Sequence, residues 1–502
     1  MGQALDLLKA RLGEVSDLGA VSEVLLWDQQ TYMPPGGGPS RSAQLAGLEL
    51  LIHQKSTSDE LGSLLDAADQ EVAGRHPDSD EARLVRVTRR EYSRRRRIPS
   101  AWAGEFARVT SLARQVWERA RDTNDFALFR PHLERIVTMR REYASFFAPH
   151  ASPYDPLLDS YEPGLKTAKL IEVYTTLRPA LRDLLGEISA HAGAVTDTPI
   201  QGDFDERAQW DLGIEVLQRM GFDFKHGRQD LAAHPFTTSF SPSDVRITTR
   251  IHRDLLTSAI LSSIHEGGHG LYEQGVDPGL ARTPLASGAS IAMHESQSRL
   301  WENLVGRSRP FWRFFIPSLR MHFPQLHALS LEGFYRAINK VTPSCLRVEA
   351  DEVTYQIHVM LRFELELALL EGSLQVKDLP GAWNERMQQE LGITPPNDAQ
   401  GALQDGHWAS GDFGYFPCYT MGDLISVQIF DQALEQEPQI PREIEGGNLV
   451  PLLAWLRENV YKHGAKFEAE ELVRRITGRS TQVQPYLRYL RTKFGQIYGF
   501  LS

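Results

Sequence analysis

Cysteine is almost missing from this chain: only Cys345 and Cys418 occur in 502 residues. Two thiols cannot staple a fold of this size, so its stability must come from a buried core, and the usage fits a reducing compartment. Long apolar runs are missing too. No stretch approaches the roughly 20 residues of a membrane span. The opening MGQALDLLKARLGEV is interrupted by charges before a leader-like segment could form. Gly2 invites N-myristoylation, but Asp6 stands where that signal wants Ser or Thr. Positive charge is not in excess either. A formal net charge of −11 argues against nucleic acid as the main partner and gives no reason to expect adhesion to an anionic membrane. Repeats of fixed period, low-complexity tracts and Ser/Gly linkers are absent, so nothing marks a domain boundary. Together these absences point to a soluble, cytoplasmic protein with one domain over residues 1–502.

What is present is helical periodicity. ALDLLKARLGEVSDLGAVSEVLLWDQQ, TAKLIEVYTTLRPALRDLLGEISAHA and EADEVTYQIHVMLRFELELALLEG all carry apolar residues at three-and-four spacing with charges between them. Breaks fall at proline and glycine clusters such as MPPGGGPS (33–40) and TPPND (394–398). Clear alternation occurs once, in DVRITTRIH (244–252), where Val245, Ile247 and Thr249 would share one face of a short strand. The fold class is therefore mostly α, with a small sheet near residue 245.

Within one helical stretch, RDLLTSAILSSIHEGGHGLYEQG, His265 and His269 lie one turn apart on one face, where two imidazoles can grip one metal ion. Glu266 sits about 100° round the helix, placed to reach a metal-bound water without ligating the metal. Chance alone would set these residues so in roughly one protein in several dozen of this size. Gly267 and Gly268 weigh against a purely structural account. Each destabilises a helix interior by about 1 kcal/mol relative to alanine, so a close-packed neighbour or a passing substrate should want bare backbone there.

A catalytic zinc needs a third protein ligand and an open fourth position. A third histidine six residues on is excluded, because that position is Gly275, and Tyr272 stands where the longer motif wants glycine. Glu273 lies about 12 Å along the axis from His265, too far for one straight helix. The ligand must come from another helix. ASIAMHESQSRLWENLVG (289–306) is amphipathic, follows a loop containing Pro278, Gly279 and Pro284, and could return antiparallel. Of its two candidates we take Glu295 as the ligand; His294 either supports a ligand from behind or is merely packed.

At these motifs the chain resembles the Taq-type metallocarboxypeptidases, zinc enzymes similar in fold to thimet oligopeptidase and angiotensin-converting enzyme. HEGGH (265–269) and HESQ (294–297) are joined in family order by DVRIT (244–248), LRVEAD (346–351) and GALQDGHW (401–408). WDQQTYMPPGGGPSRSAQLA (27–46) and YDPLLDSYEPG (154–164) match as well, so the resemblance runs nearly end to end. Leu346 stands where the family usually shows Ile or Val, a conservative departure. The resemblance implies an elongated helical body with a deep active-site groove and a small sheet beside the metal. It implies metal ligands His265, His269 and Glu295, base Glu266, and one zinc per chain with cobalt as an acceptable substitute. It also implies release of single C-terminal residues from peptides with broad specificity, and a homodimer.

Peptide hydrolysis needs an activated water, a polarised carbonyl and stabilisation of the developing oxyanion. Zinc with Glu266 would supply the first and part of the second. For the third, HWASGDFGYFPCYT brings His407, Tyr415 and Tyr419 into one glycine-punctuated loop, similar to the oxyanion-stabilising segment of the related peptidases. Trp408, Phe413 and Phe416 of that loop belong in the core. A carboxypeptidase must also hold a free carboxylate, and arginine offers a planar fork for it. Arg246 and Arg347 lie inside family motifs, and neither has acids close enough in sequence to neutralise it outright. Asp244, Asp351 and Asp405 more naturally orient these groups than react. The basic run RREYSRRRRIPS (89–100) lacks aromatic platforms and reads as a solvated helix end. Two other readings are a non-catalytic peptide-binding relative, against which the intact Glu266 argues, and an oligo- or endopeptidase of the same fold.

Overall fold

The computed structural model of the protein describes residues 2–501, and most of them are helical. The chain folds into two compact units, each gathered from separate segments. The first takes Met1–Arg96, Asp197–Ile338 and Ile425–Thr481, and the second takes Arg97–Thr196, Asn339–Leu424 and Gln482–Ser502. One crossing, between Leu424 and Ile425, falls inside the helix Pro417–Gln436. That crossing, carried by a continuous helix, has no linker composition. No helix among the described residues is long and apolar enough to cross a membrane.

The small sheet belongs to the first unit. Its strands are β1 (Gly227–Leu231), β2 (Thr237–Ser241) and β3 (Asp244–Thr249), with β3 in the middle, parallel to β1 and antiparallel to β2. The alternation expected at 244–252 is realised over the first six residues, with Val245, Ile247 and Thr249 buried and Arg246 on the other face. β1 (GRQDL) and β2 (TTSFS) carry too little apolar alternation to read as strands on their own.

The HEGGH motif lies on the helix Leu256–Gly275. The chain then passes a short 3-10 turn, Pro278–Leu280, and returns as the helix Ile291–Arg299. Ser290 caps that return helix by accepting the Met293 N–H at 3.0 Å. The expected helix over 289–306 does not stay α: Leu300–Gly306 continues as a π-helix. Such wide turns often mark functional positions.

Bare backbone at the glycine pair has two separate uses. A methyl group on Gly267 would meet the Leu217 Cδ2 at 2.5 Å, on the neighbouring helix Glu206–Met220. At Gly268 it would stand 2.7 Å from the Ser298 Cα and 2.8 Å from the Gln297 carbonyl oxygen. There the motif helix and the return helix touch backbone to backbone, so the close neighbour, rather than helix propensity, decides the residue.

The second unit contains the long helices Phe126–Ser145, Thr167–Ala190 and Tyr355–Glu371. The YDPLLDSYEPG segment forms the short helix Asp155–Leu158 and has a structural task. The Asp155 carboxylate accepts from the Thr167 N–H at 2.8 Å and its hydroxyl at 2.7 Å, fixing the start of the next helix. In the basic run, Arg89 pairs with Asp69 and Arg96 with Asp59, as a solvated helix face does.

Gly268→Ala gains about 1 kcal/mol in helix propensity but forces backbone apart, an overpacking that typically costs about 1–3 kcal/mol. We expect a lowered melting midpoint. Gly186, exposed inside Thr167–Ala190 with open space around it, is the control, and Gly186→Ala should raise the midpoint. A Gly268→Ala protein that melts at or above the parent would show that the two helices part without cost.

Candidate active site

In the first unit three donor atoms converge. The rings of His265 and His269 stand 5.1 Å apart between centroids on the motif helix, and Glu295 arrives from the return helix. The Glu295 Oε2 lies 3.5 Å from the His269 Nε2 and 3.8 Å from the His265 Nε2, and one donor of each residue falls within 4.8 Å of the others. Donors about 2.0 Å from a tetrahedral ion stand about 3.3 Å apart. The group therefore fits a divalent metal with little rearrangement.

Hydrogen bonds behind the three residues set which nitrogens face inward. The His265 Nδ1 lies 2.9 Å from the Glu302 Oε2 and donates to it, leaving Nε2 as the lone pair. His269 and His294 meet through their Nδ1 atoms at 2.5 Å, and the His294 Nε2 lies 2.7 Å from Glu273. His294 donates to Glu273 through Nε2, so its Nδ1 accepts from His269 and frees the His269 Nε2. His294 thus supports a ligand from behind. Arg299 donates to the Glu295 Oε1 at 2.7 Å, which leaves Oε2 to the histidines. Glu302 also receives Arg307 at 3.0 Å. Glu273, too far along its helix to be a third ligand, acts instead through His294, while Arg299 and Glu302 carry no motif of their own, although 295, 299 and 302 are four and seven apart and so share a helix face.

The electrostatics favour added positive charge. Burial disfavours a charged His265 ring, yet Glu295, Glu302 and Glu266 outweigh it and lift it to about 9. His269 goes the other way, to about 3, because burial dominates and its histidine neighbours oppose a second charge. Burial alone would raise the Glu295 carboxyl, but Arg299 and the two histidines hold it well below the usual carboxylate range. Glu266 is buried on the same helix, and its Oε2 accepts from the Thr237 hydroxyl at 2.6 Å. Thr237 opens β2, and no pattern in that short polar strand could have indicated it.

The remaining candidates divide between the units. In the second, His407 lies 5.4 Å from Tyr415 between ring centroids, and its Nε2 is 3.4 Å from the Tyr419 hydroxyl. Trp408, Phe413 and Phe416 are buried, as expected. Burial, reinforced by Arg347 and Arg362, lowers His407 to about 3, so the ring is neutral and keeps one N–H. Arg347 is buried in the same cluster, with its guanidinium 5.1 Å from the Tyr419 ring and donating to Tyr355 at 2.9 Å. Arg246 belongs to the first unit, on β3, stacked 4.2 Å from Trp27 and 4.6 Å from Phe240.

Both arginines have carboxylate partners among the acids expected to orient them, and for Arg246, paired with Asp244 two residues away, this corrects the expectation that no acid near in sequence would neutralise it. Asp244 pairs with Arg246 at 3.1 Å, and Asp405, far away in sequence, pairs with Arg347 at 2.8 Å and with the fully buried Arg362. Asp351 touches neither. It caps a helix start by accepting the N–H groups of Val353 and Thr354.

Fold and site define a helical protein carrying a two-histidine, one-glutamate group that can hold a metal ion. A family model for the carboxypeptidase Taq (M32) metallopeptidases matches residues 7–494. The chain is similar to thermostable carboxypeptidase 1 of Thermus thermophilus, 40% identical over 496 residues and covering 97% of each chain. It is 36% identical to carboxypeptidase 1 of Bacillus subtilis over 494 residues, covering 98% of this chain and 97% of that one. The crystal structure of an M32 carboxypeptidase from Deinococcus radiodurans matches at TM-score 0.96 and 40% identity, over 99% of this chain and 100% of that one. This chain belongs to the M32 family of metallocarboxypeptidases.

Glu302→Gln keeps the size of the side chain and removes the charge behind His265. Losing such an outer partner typically costs about 10–100-fold in metal affinity. Competition between the metal-free protein and a chromophoric chelator measures it, and an affinity within threefold of the parent would reduce Glu302 to a filler of buried space.

Proposed function

We propose that the protein is a zinc carboxypeptidase that removes single residues from peptide C-termini with broad specificity. The observation that carries this is the convergence of the His265 Nε2, the His269 Nε2 and a Glu295 oxygen beside Glu266, in a chain of this family. Two imidazoles and one carboxylate are the donor set of a catalytic zinc site with one position left open, and the same donors suit cobalt. When bound, the metal supplies a Lewis acid that acidifies water and polarises the scissile carbonyl.

The chain's own residues do the rest. Glu266 takes the proton of the attacking water and passes it to the departing amine, and the Thr237 hydroxyl fixes which oxygen is free to do so. His407, neutral and therefore an N–H donor, stabilises the oxyanion with Tyr415 and Tyr419. Arg347 holds the terminal carboxylate of the peptide, with Arg246 as the second candidate. Support for Arg347 comes from charge: Arg347 and Arg362 share the one carboxylate of Asp405, which leaves a positive excess for an anionic group. Its pairing with Asp244 and its aromatic stack favour Arg246 less. One metal per chain, a homodimer and a reducing, cytoplasmic setting complete the proposal, with peptides rather than nucleic acid or membrane as its targets.

Glu266→Gln should keep metal and fold while turnover falls at least about a thousandfold, since water activation and proton delivery are both lost. A variant that keeps a tenth of the activity removes this role.

Amidating the C-terminus of a peptide should nearly abolish its hydrolysis by the unmodified protein, as read by mass. Removing one partner of a buried charged pair costs about 2–5 kcal/mol, so Arg347→Met should bring the free acid down toward the amide. Asp405 would still hold Arg362, which keeps the fold intact. Should Arg246→Met close the gap instead, Arg246 is the clamp; equal cleavage of acids and amides, or internal fragments, points to an oligopeptidase.

A further inference from the structure

Glu366, on the helix Tyr355–Glu371 of the second unit, has no solvent exposure. Its Oε1 accepts from the Trp408 Nε1 at 2.8 Å, and its Oε2 accepts from the Tyr154 hydroxyl at 2.6 Å and the Gly414 N–H at 3.0 Å. None of these donors is charged. A carboxylate held in a dry place by dipoles alone ionises reluctantly, and burial lifts this one to about 7 against the pull of the three bonds.

That arrangement is a cost to folding. The group's proton affinity is higher folded than unfolded, so its stabilising contribution is complete below about 4.5 and is lost as pH rises through about 7. A neutral or apolar side chain would fill the same place without that loss.

The use lies in what the three donors belong to. Trp408 directly follows His407, and Gly414 directly precedes Tyr415. Gly414 has a φ of 93°, and a methyl group there would come within 2.9 Å of the Leu157 and Leu158 backbone, beside Tyr154. One carboxylate therefore ties both ends of the 408–414 turn to the helix beneath it. His407 and Tyr415 emerge from those ends with their rings 5.4 Å apart.

We propose that Glu366 is a positioning residue: its carboxylate sets the separation and aim of His407 and Tyr415. This rests on the carboxypeptidase reading, in which those two side chains stabilise the oxyanion. The titratable groups around the network are Tyr154, Tyr174, Asp412 and Cys418. Burial lifts both phenols far out of the neutral range, and Asp412, itself raised by burial, adds its charge against Glu366.

Glu366→Gln keeps the shape but turns an amide N–H toward one of the donors. Displaced catalytic groups of this kind cost roughly ten- to a hundredfold, so kcat on a free-acid peptide should fall by that much while KM moves less than about threefold and metal content is unchanged. Tyr154→Phe, which removes one donor, should lower kcat roughly threefold to tenfold. A readout independent of activity is the Trp408 indole N–H resonance in nitrogen-15 labelled protein, assigned by its loss in Trp408→Phe. It should titrate with a midpoint near neutral pH in the parent and stay flat in Glu366→Gln. A kcat within twofold of the parent in Glu366→Gln, or an indole signal that is the same in both proteins at every pH, overturns the proposal. If Glu366→Gln does not fold, an unchanged kcat in Tyr154→Phe overturns it equally. A parent protein that cleaves no peptide would overturn the carboxypeptidase reading and this catalytic role with it, while a titrating indole would still identify Glu366 as the group that grips the turn.

Discussion

Carboxylates taken out of water must be met by cations or donors, and the metal-binding group is arranged around that demand at Glu295. Arg299, one helical turn on, takes one oxygen and leaves the other to two histidines. Glu302, further along the same face, takes the back of His265. Each partner is within reach because the return helix lies directly on the motif helix, and they can lie so close because residue 268 has no side chain. A local sacrifice of helix propensity thus becomes ligand geometry. The excess of acidic groups around His265, which lifts that ring to about 9, is the charge state a divalent cation would relieve.

The chain behind the ligands departs from regular helix. Residues 300–306 widen into π turns, and they carry both Glu302 and the backbone of Gly306, whose carbonyl accepts from Trp312 at 2.6 Å. Trp301 of the same stretch donates to the Tyr461 hydroxyl at 3.1 Å. An amphipathic pattern read at the α period does anticipate a helix here, because the apolar positions still fall inward. It cannot anticipate the wider turn, which leaves no mark on that pattern.

How far the site could be read from the sequence follows from the range of each interaction. His265, Glu266 and His269 were legible because one helical turn relates them, and the third ligand was narrowed to His294 or Glu295 on a returning helix, with the family resemblance implying Glu295. Thr237 was not legible, since it contacts Glu266 from a strand with no apolar alternation of its own. Asp405 was legible as an acid that orients an arginine, but its sharing was not: 58 residues separate it from Arg347, and nothing local indicates that Arg362 joins the pair. The interleaved units were hidden in the same way, since a crossing inside a continuous helix leaves no mark on composition.

In the second unit the balance of charge runs opposite to that around the histidines. Arg347 and Arg362 act on one another and on a single acid, Asp405, whose carboxyl they hold far below the usual range despite its burial. Burial and both guanidiniums keep His407 neutral. Among these four side chains the sum is one positive charge in a dry environment, which is unfavourable until an anion joins it. Replacing either arginine by an apolar residue would cancel the excess, so simple stability gives no reason to keep both. An incoming peptide carboxylate, in the function proposed for this chain, supplies the missing negative charge when substrate binds. The cluster then pairs its charges fully only in the complex, and an amide at the same position, carrying no charge, leaves the excess in place.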